Sequence, residues 1–335
     1  MTGVWNMSSS CKVTIYCTAY NHEAYIRDAL NSFLSQKTDS PFEVLVTDDA
    51  STDGTTAILR EYQEKFPDVI RFFHQEENQF SQGINLYETV MYPNTRGRYV
   101  AYCEGDDYWT APGKLQRQVD FLDTHPDYSA CVHNSTYHFC SGNRPDELLL
   151  PPSEDRDVPF STIIRGMNHC FHTSSVLGRA SVLCNPPDFQ SVAFSYGFTD
   201  YALSLWLSLN GRIRFLDESM SVYRVNSNPS SWSSSRDDAY GKKTAFVTGE
   251  IEMMKTLLPH LNEEQKMLTE AELLKREYEL LYLCGRVDEM VRPPYDILYR
   301  QEPLSFRAKT WLKRRFPALH AAYRSHQGYK EESGK

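Results

Sequence analysis

Apolar and polar positions alternate in two registers along this chain. "KVTIYCT" puts Val13, Ile15 and Cys17 on one side, the period-two pattern of a strand. "HEAYIRDALNSFLSQ" then sets Ile26, Ala29, Leu30, Phe33 and Leu34 on one stripe at helical spacing. "FEVLVT" predicts a second strand, "DDASTDGT" a turn, and the residues from about Thr55 to Phe66 a helix closed by Pro67. "VIRFFHQ" and "RYVAYCE" predict further strands, with the helix-like "INLYETVMY" between them. Repeated strand–helix units imply an α/β fold with a parallel sheet covered on both faces. From Ser141 to Phe160 the chain is rich in Pro, Asp and Glu and reads as a surface loop. "FHTSSVLGR" and "RIRFLDESMSVYR" predict later strands flanking the helix "DYALSLWLSLNG". Beyond about Asp237 the pattern is purely helical, and no internal repeat is visible.

Composition narrows this picture. With 335 residues, 41% of them hydrophobic and 24% charged, the chain can bury a full core, as one large domain or as one domain plus an appendage. A formal net charge of -9 argues against a general nucleic-acid binder, since nothing neutralises a long phosphate backbone. Small phosphorylated ligands stay compatible, because one metal ion reverses the local sign. The eight cysteines contain no C-x-x-C pair. Cys17, Cys103 and Cys131 lie in strand-like runs and read as reduced, buried thiols, which suits a cytoplasmic protein. "MTGVWNMSSS" lacks the apolar core of a signal peptide, and no apolar run is long enough to span a bilayer.

Polar clusters fall at predicted strand ends, where parallel sheets bind ligands. "TAYNHE" ends the first strand, "DDASTDG" the second, and "EGDD" (Glu104 to Asp107) the "RYVAY" strand, while "FTD" (198–200) precedes a helix. Asp49 suits an imide N–H or ribose hydroxyls, and Tyr20 suits stacking on a flat base. Asp106 and Asp107 suit Mg²⁺ or Mn²⁺ bridging to a diphosphate. Each has a plainer reading. An acidic turn is common, Asp53-Gly54 serves ordinary turn chemistry, and Asp200 suits a helix N-terminus without any catalysis.

Together, "VTIYCTAYNHEAYIRDALNSFLSQ", "FEVLVTDDASTDGT" and "RYVAYCEGDDYW" resemble the family 2 glycosyltransferases over about residues 11–226, most strongly in the first 125. These are inverting enzymes of the GT-A fold that use nucleotide-diphospho-sugars. The resemblance implies a Rossmann-like, mostly parallel sheet flanked by helices across 11–236, with a nucleotide-sugar half (11–125) and an acceptor-side half (126–236), followed by a helical region (237–335). It assigns Thr18, Tyr20 and Asn21 to the nucleoside side and Asp49 to reading the base, usually uracil. Asp106 and Asp107 become metal ligands, with Asp106 also meeting the donor, while Thr173 and Ser174 border the donor sugar. Asp200 becomes the catalytic base. Implied partners are a UDP-sugar and a glycan or lipid-linked acceptor, with Mn²⁺ or Mg²⁺ as cofactor. Glu104 and Gly105 depart from the family's Asp-x-Asp-Asp pattern, Thr199 stands where an acidic residue often precedes the base, and Asn226 replaces a histidine of many relatives.

Two other classes compete. A nucleotidyltransferase also uses carboxylate-bound metal, but "TAYNHEAY" lacks the glycines and the basic residues of a triphosphate loop. A non-catalytic sugar-nucleotide-binding protein would not need Asp200 beside Asp106 and Asp107. Outside the clusters, "NSNPSSWSSS" (226–235) reads as a lid over the donor or as a linker. "LSFRAKTWLKRRFPALHAAYR" (304–324) is basic and amphipathic within an acidic chain. It reads as a helix packed on the protein or as a segment lying on the inner face of the cell membrane.

Overall fold

A computed structural model describes residues 11–142, 144–166, 170–225 and 241–316. The chain divides into two compact units, Met1–Asp238 and Ala239–Lys335.

The first unit is built on one mixed sheet. Its strands are β1 (Val13–Ala19), β2 (Phe42–Asp48), β3 (Ile70–His74), β4 (Tyr99–Tyr102), β5 (Tyr108–Trp109), β6 (Tyr128–Phe139), β7 (Glu147–Leu148), β8 (Arg156–Asp157), β9 (Leu177–Arg179) and β10 (Arg212–Val225). The spatial order is β3-β2-β1-β4-β9-β6-β10-β5, with β7 on β6 and β8 on β10. Among the described residues, four of the seven pairings along that path are parallel: β3–β2, β2–β1, β1–β4 and β6–β10. The β9 strand runs antiparallel between β4 and β6, so the parallel order read from the sequence holds for the first half and becomes mixed in the second.

The register positions the polar clusters. Ala19 pairs with Asp48 and Tyr16 with Tyr102, so β1, β2 and β4 all end on one edge. Strand order reverses at β1, between β2 and β4, and a crevice opens at the carboxyl ends of such strands.

Ile26, Ala29, Leu30 and Phe33 of the helix Ile26–Leu34 are fully buried, as their spacing predicts. They join Val13, Ile15, Cys17, Val44, Val46 and Ala101 in one core under the sheet. Each large apolar side chain so buried stabilises the fold by about 1.5–3 kcal/mol. A helix absent from the sequence reading, Lys114–Thr124, covers the same core with Leu115, Val119 and Leu122. All eight cysteines are free thiols, and burial pushes those of Cys17 and Cys103 well above the usual range.

The second unit is helical, with helices Gly241–Leu257, Glu263–Leu283, Asp296–Gln301 and Leu304–Arg315. Asn262 caps the second of these in a capping box with Gln265. Tyr278, Leu281, Val287 and Met290 form a small core within it. Among the described residues no helix is long and apolar enough to cross a membrane.

Candidate active site

Two loops at the carboxyl edge are stitched together through backbone donors. Asn21 sits at φ 56°, in the left-handed region that asparagine tolerates, and its Oδ1 accepts from Thr52 N at 2.8 Å. Asn21 N donates to Ser51 Oγ, His22 N to Thr55 Oγ1, and Glu23 N to Asp53 Oδ2. Asp53 also accepts from Thr55 N at 3.0 Å, which is the turn chemistry allowed for it. The neighbouring carboxylates have different environments. Asp48 is wholly buried and holds the Ser51 and Thr56 hydroxyls, whereas Asp49 faces the next loop. There Asp49 accepts from Gln79 N at 2.6 Å and Phe80 N at 3.1 Å. Tyr20 is half-buried directly after β1.

The acidic loop continues β4. Cys103 N donates to Tyr16 O at 3.0 Å and Gly105 N to Thr18 O at 2.9 Å, which draws Glu104–Asp107 against the end of β1. Gly105 is required by this close approach. A Cβ there would lie 2.8 Å from Ile26 Cδ1 and 2.9 Å from His22 Nδ1. Asp107 is 1% exposed, and its Oδ1 accepts from Arg224 N at 2.9 Å. The Arg224 guanidinium is engaged by Asp28 and by the Asp106 carbonyl.

Asp200 lies in the first turn of the helix Thr199–Leu209, whose N-cap position is Phe198 without a side-chain cap. Capping therefore does not account for it. Burial raises its carboxyl above the ordinary range, opposed by hydrogen bonds from Thr173 and Thr199. Burial, then the charges of Asp200 and Asp106, push Glu104 up to about 8, and Glu104 Oε2 is buried without a hydrogen-bond partner. Burial and the charges of Asp106 and Glu104 likewise raise Asp107. Glu104 thus lies within electrostatic reach of both Asp200 and Asp106, and Asp107 within reach of Asp106 and Glu104. The Tyr87 hydroxyl, hydrogen-bonded to the Thr18 side chain, feels the charges of Glu104 and Asp200.

Hard oxygen donors of this kind fit Mg²⁺ or Mn²⁺. Asp106 and Asp107 carry such donors beside the unpartnered Glu104 oxygen, and the mutual repulsion of the carboxylates favours an added cation. Among the described residues no group of three or more His, Cys, Asp or Glu side chains forms a metal-binding cluster. Two carboxylates with phosphate oxygens completing the shell is the arrangement common for Mg²⁺.

Thr173 and Ser174 stand in a 3-10 turn, Thr173–Ser175, where the sequence predicts strand; strand begins only at Leu177. His172 causes the turn by accepting from Ser174 N. Thr173 reaches Asp200, but Ser174 is 0% exposed, its hydroxyl held between Ser221 and His172. The Ser174 hydroxyl supports the turn from behind. Three neighbours escaped the sequence reading. His22 Nε2 lies 3.8 Å from Asp106, His172 Nδ1 lies 3.8 Å from Asp107, and Arg224 braces the loop. The histidines sit inside "TAYNHE" and "FHTSSV", beside residues that were singled out. Asn226 and the Ser-rich 226–235 lie outside the described residues.

A sheet with an acidic loop at its carboxyl edge, together with a helix bearing a half-buried aspartate, is the GT-A arrangement. Comparison with known proteins agrees. TarS of S. aureus, solved with UDP-GlcNAc, superposes with a TM-score of 0.62 at 21% identity, covering 96% of this chain and 93% of that one. A mannosyltransferase of Pyrobaculum calidifontis, solved with GDP-Man and Mn²⁺, gives 0.54 at 15% identity, covering 96% and 89%. Residues 14–173 match the model of glycosyl transferase family 2. An uncharacterized protein of Mycobacterium tuberculosis is 34% identical over 212 residues, 63% of this chain. The match spans 58% of that relative's length, less than two thirds. TuaG of Bacillus subtilis, named for teichuronic acid biosynthesis, is 28% identical over 248 residues, 72% of this chain and 89% of its own.

Proposed function

We propose that this protein is an inverting glycosyltransferase, moving a sugar from a UDP-sugar to a hydroxyl of a glycan or lipid-linked acceptor in cell-surface polysaccharide synthesis. The observation that carries the reading is Asp200, a half-buried carboxylate beside Thr173 and Thr199 in the electrostatic reach of the acidic loop. A raised carboxyl pKa makes a stronger general base. The acceptor hydroxyl attacks the anomeric carbon from the face opposite the diphosphate, and Asp200 takes the hydroxyl proton as the new bond forms.

On the donor side Tyr20 stacks the base, Asp49 accepts its imide N–H, and Thr18 and Asn21 border the nucleoside. Thr173 borders the sugar. Asp106 and Asp107 would hold Mn²⁺ or Mg²⁺, which when bound supplies positive charge to the departing nucleotide diphosphate. The names of TuaG and of the nucleotide-sugar complexes support the donor class and the polysaccharide setting. The exposed Trp311 and Leu312, beside Lys309 and Arg315, support a peripheral contact with the cytoplasmic face of the membrane.

The reading is tested by substituting Asp106 and Asp107 together with Ala and measuring UDP binding by calorimetry with and without Mn²⁺. Metal-dependent binding should vanish in the double variant. Equal affinity in the variant, or in chelator, sinks the metal assignment.

A further inference from the structure

A lysine in the core has no part in the chemistry just described. Lys114 is 0% exposed, at the start of the helix Lys114–Thr124. Burying an amino group is costly unless its surroundings give it partners. It has two. Nζ lies 4.0 Å from the centroid of the Trp109 ring and donates to Gln118 Oε1 at 2.8 Å.

Those two partners share a target. Trp109 Nε1 donates to Ser174 O at 2.9 Å, and Gln118 Nε2 donates to Ser175 O at 2.9 Å and Cys131 O at 2.6 Å. Both therefore grip the turn Thr173–Ser175 from below. Trp109 also follows Asp107 by two residues, and its backbone N–H is fixed by Ser32 Oγ at 3.1 Å. The acidic loop and the Thr173 turn thus meet on a single amino group. An apolar side chain would fill the same volume without orienting either partner, so packing alone does not explain a lysine.

We propose that Lys114 is a positioning residue: by joining Trp109 to Gln118 it fixes the Thr173–Ser175 turn against the Glu104–Asp107 loop, and so aims the Thr173 hydroxyl at Asp200. The role rests on the transfer reading, with Asp200 as base. Thr173 holds one orientation of the Asp200 carboxylate, and Lys114 acts only through that turn. Burial pulls the lysine's own pKa down to about 7, the mark of an amino group kept in the core without a carboxylate partner.

The experiment follows UDP release from UDP-glucose and UDP-N-acetylglucosamine by the full chain with Mn²⁺. It compares wild type, Lys114→Met, Thr173→Val and the double variant, with UDP affinity by calorimetry and thermal unfolding for each. Lys114→Met should keep UDP affinity and donor KM within about twofold while kcat falls about ten- to a hundredfold, the size expected for a misaimed catalytic group. In the Thr173→Val background Lys114→Met should cost nothing further, because both act through one hydrogen bond. Wild-type kcat in folded Lys114→Met, or independent losses that multiply in the double variant, overturns the proposal. Should Lys114→Met fail to fold, Trp109→Phe keeps an aromatic face beneath the amino group and removes the N–H to Ser174 O. The same kcat loss with UDP binding intact is then expected, and unchanged kcat overturns the role. If wild type releases no UDP from any nucleotide-sugar that binds, with acceptors present, the transfer reading falls and this role with it.

Discussion

Asp49, Lys114 and Asp200 show how environment assigns work to similar charges. Asp200 is half-buried and desolvation raises its carboxyl, so transfer should be lost on acidification at a pH above that expected for an ordinary aspartate. Asp200→Asn should retain UDP-sugar affinity but lower transfer by about 10²–10⁴-fold, since the amide takes no proton. Transfer rates beside calorimetry check both halves, and surviving transfer removes Asp200 from the role of base. Asp49 already organises the Gln79–Phe80 amides, so Asp49→Ala bears on the loop as well as on the base. Uridine nucleotides should nevertheless lose about 1–3 kcal/mol more than pyrophosphate does. Equal losses would make Asp49 a loop anchor only. Lys114 gives a stability signature of the opposite kind. Its pKa falls from 10.5 to about 7 in the folded state, so between those values the unfolded chain binds more protons and stability rises with pH. The slope is at most about 1.4 kcal/mol per pH unit, visible in denaturant midpoints at about pH 6, 8 and 10 and absent from Lys114→Met.

At the scale of elements, alternation and helical spacing carried most of the first half. β1 to β4 and the helices Ile26–Leu34 and Thr55–Lys65 lie where their apolar patterns put them, because each buries one regular face. The second half was harder to read. "INLYETVMY" forms the π turn Tyr87–Met91 and a short helical continuation, and "TSS" is a 3-10 turn set by the His172 side chain. Neither feature leaves a period in the sequence. The helix Lys114–Thr124 was missed, with a buried lysine and glutamine interrupting its apolar stripe. The site itself was legible as clusters, while Ser174, His22 and Arg224 took their places from packing that local sequence does not encode. Gly105 makes the close approach testable. Gly105→Ala should destabilise the fold by about 1–3 kcal/mol through overpacking against Ile26 and His22. Unchanged thermal stability would mean that the loop stands off from β1.

For the whole molecule, the second unit carries a surface of its own. Within it the helix Leu304–Arg315 packs through Phe306 and Thr310 on Tyr282 and Tyr299, and Arg314 pairs with Asp288 at 2.8 Å. Trp311 and Leu312 stay more than half exposed, at 54% and 51%, so one face is packed and the other is open. Residues 317–324 of this basic stretch lie outside the described residues. Basic residues near an anionic leaflet contribute about 1 kcal/mol each. The protein should sediment with phosphatidylglycerol vesicles at low salt, and Trp311→Ser with Leu312→Ser should reduce this while leaving UDP binding intact. Equal sedimentation would remove the tail from the account. The central claim is sugar transfer from a nucleotide-diphospho-sugar, and it is tested most directly by UDP release. Incubated with UDP-glucose or UDP-N-acetylglucosamine and Mn²⁺, the wild-type protein should liberate UDP, faster with a glycan or lipid-linked acceptor, while Asp200→Asn binds the donor and releases almost none. Release at equal rates by wild type and Asp200→Asn, or by neither across a panel of nucleotide-sugars that bind, would contradict it.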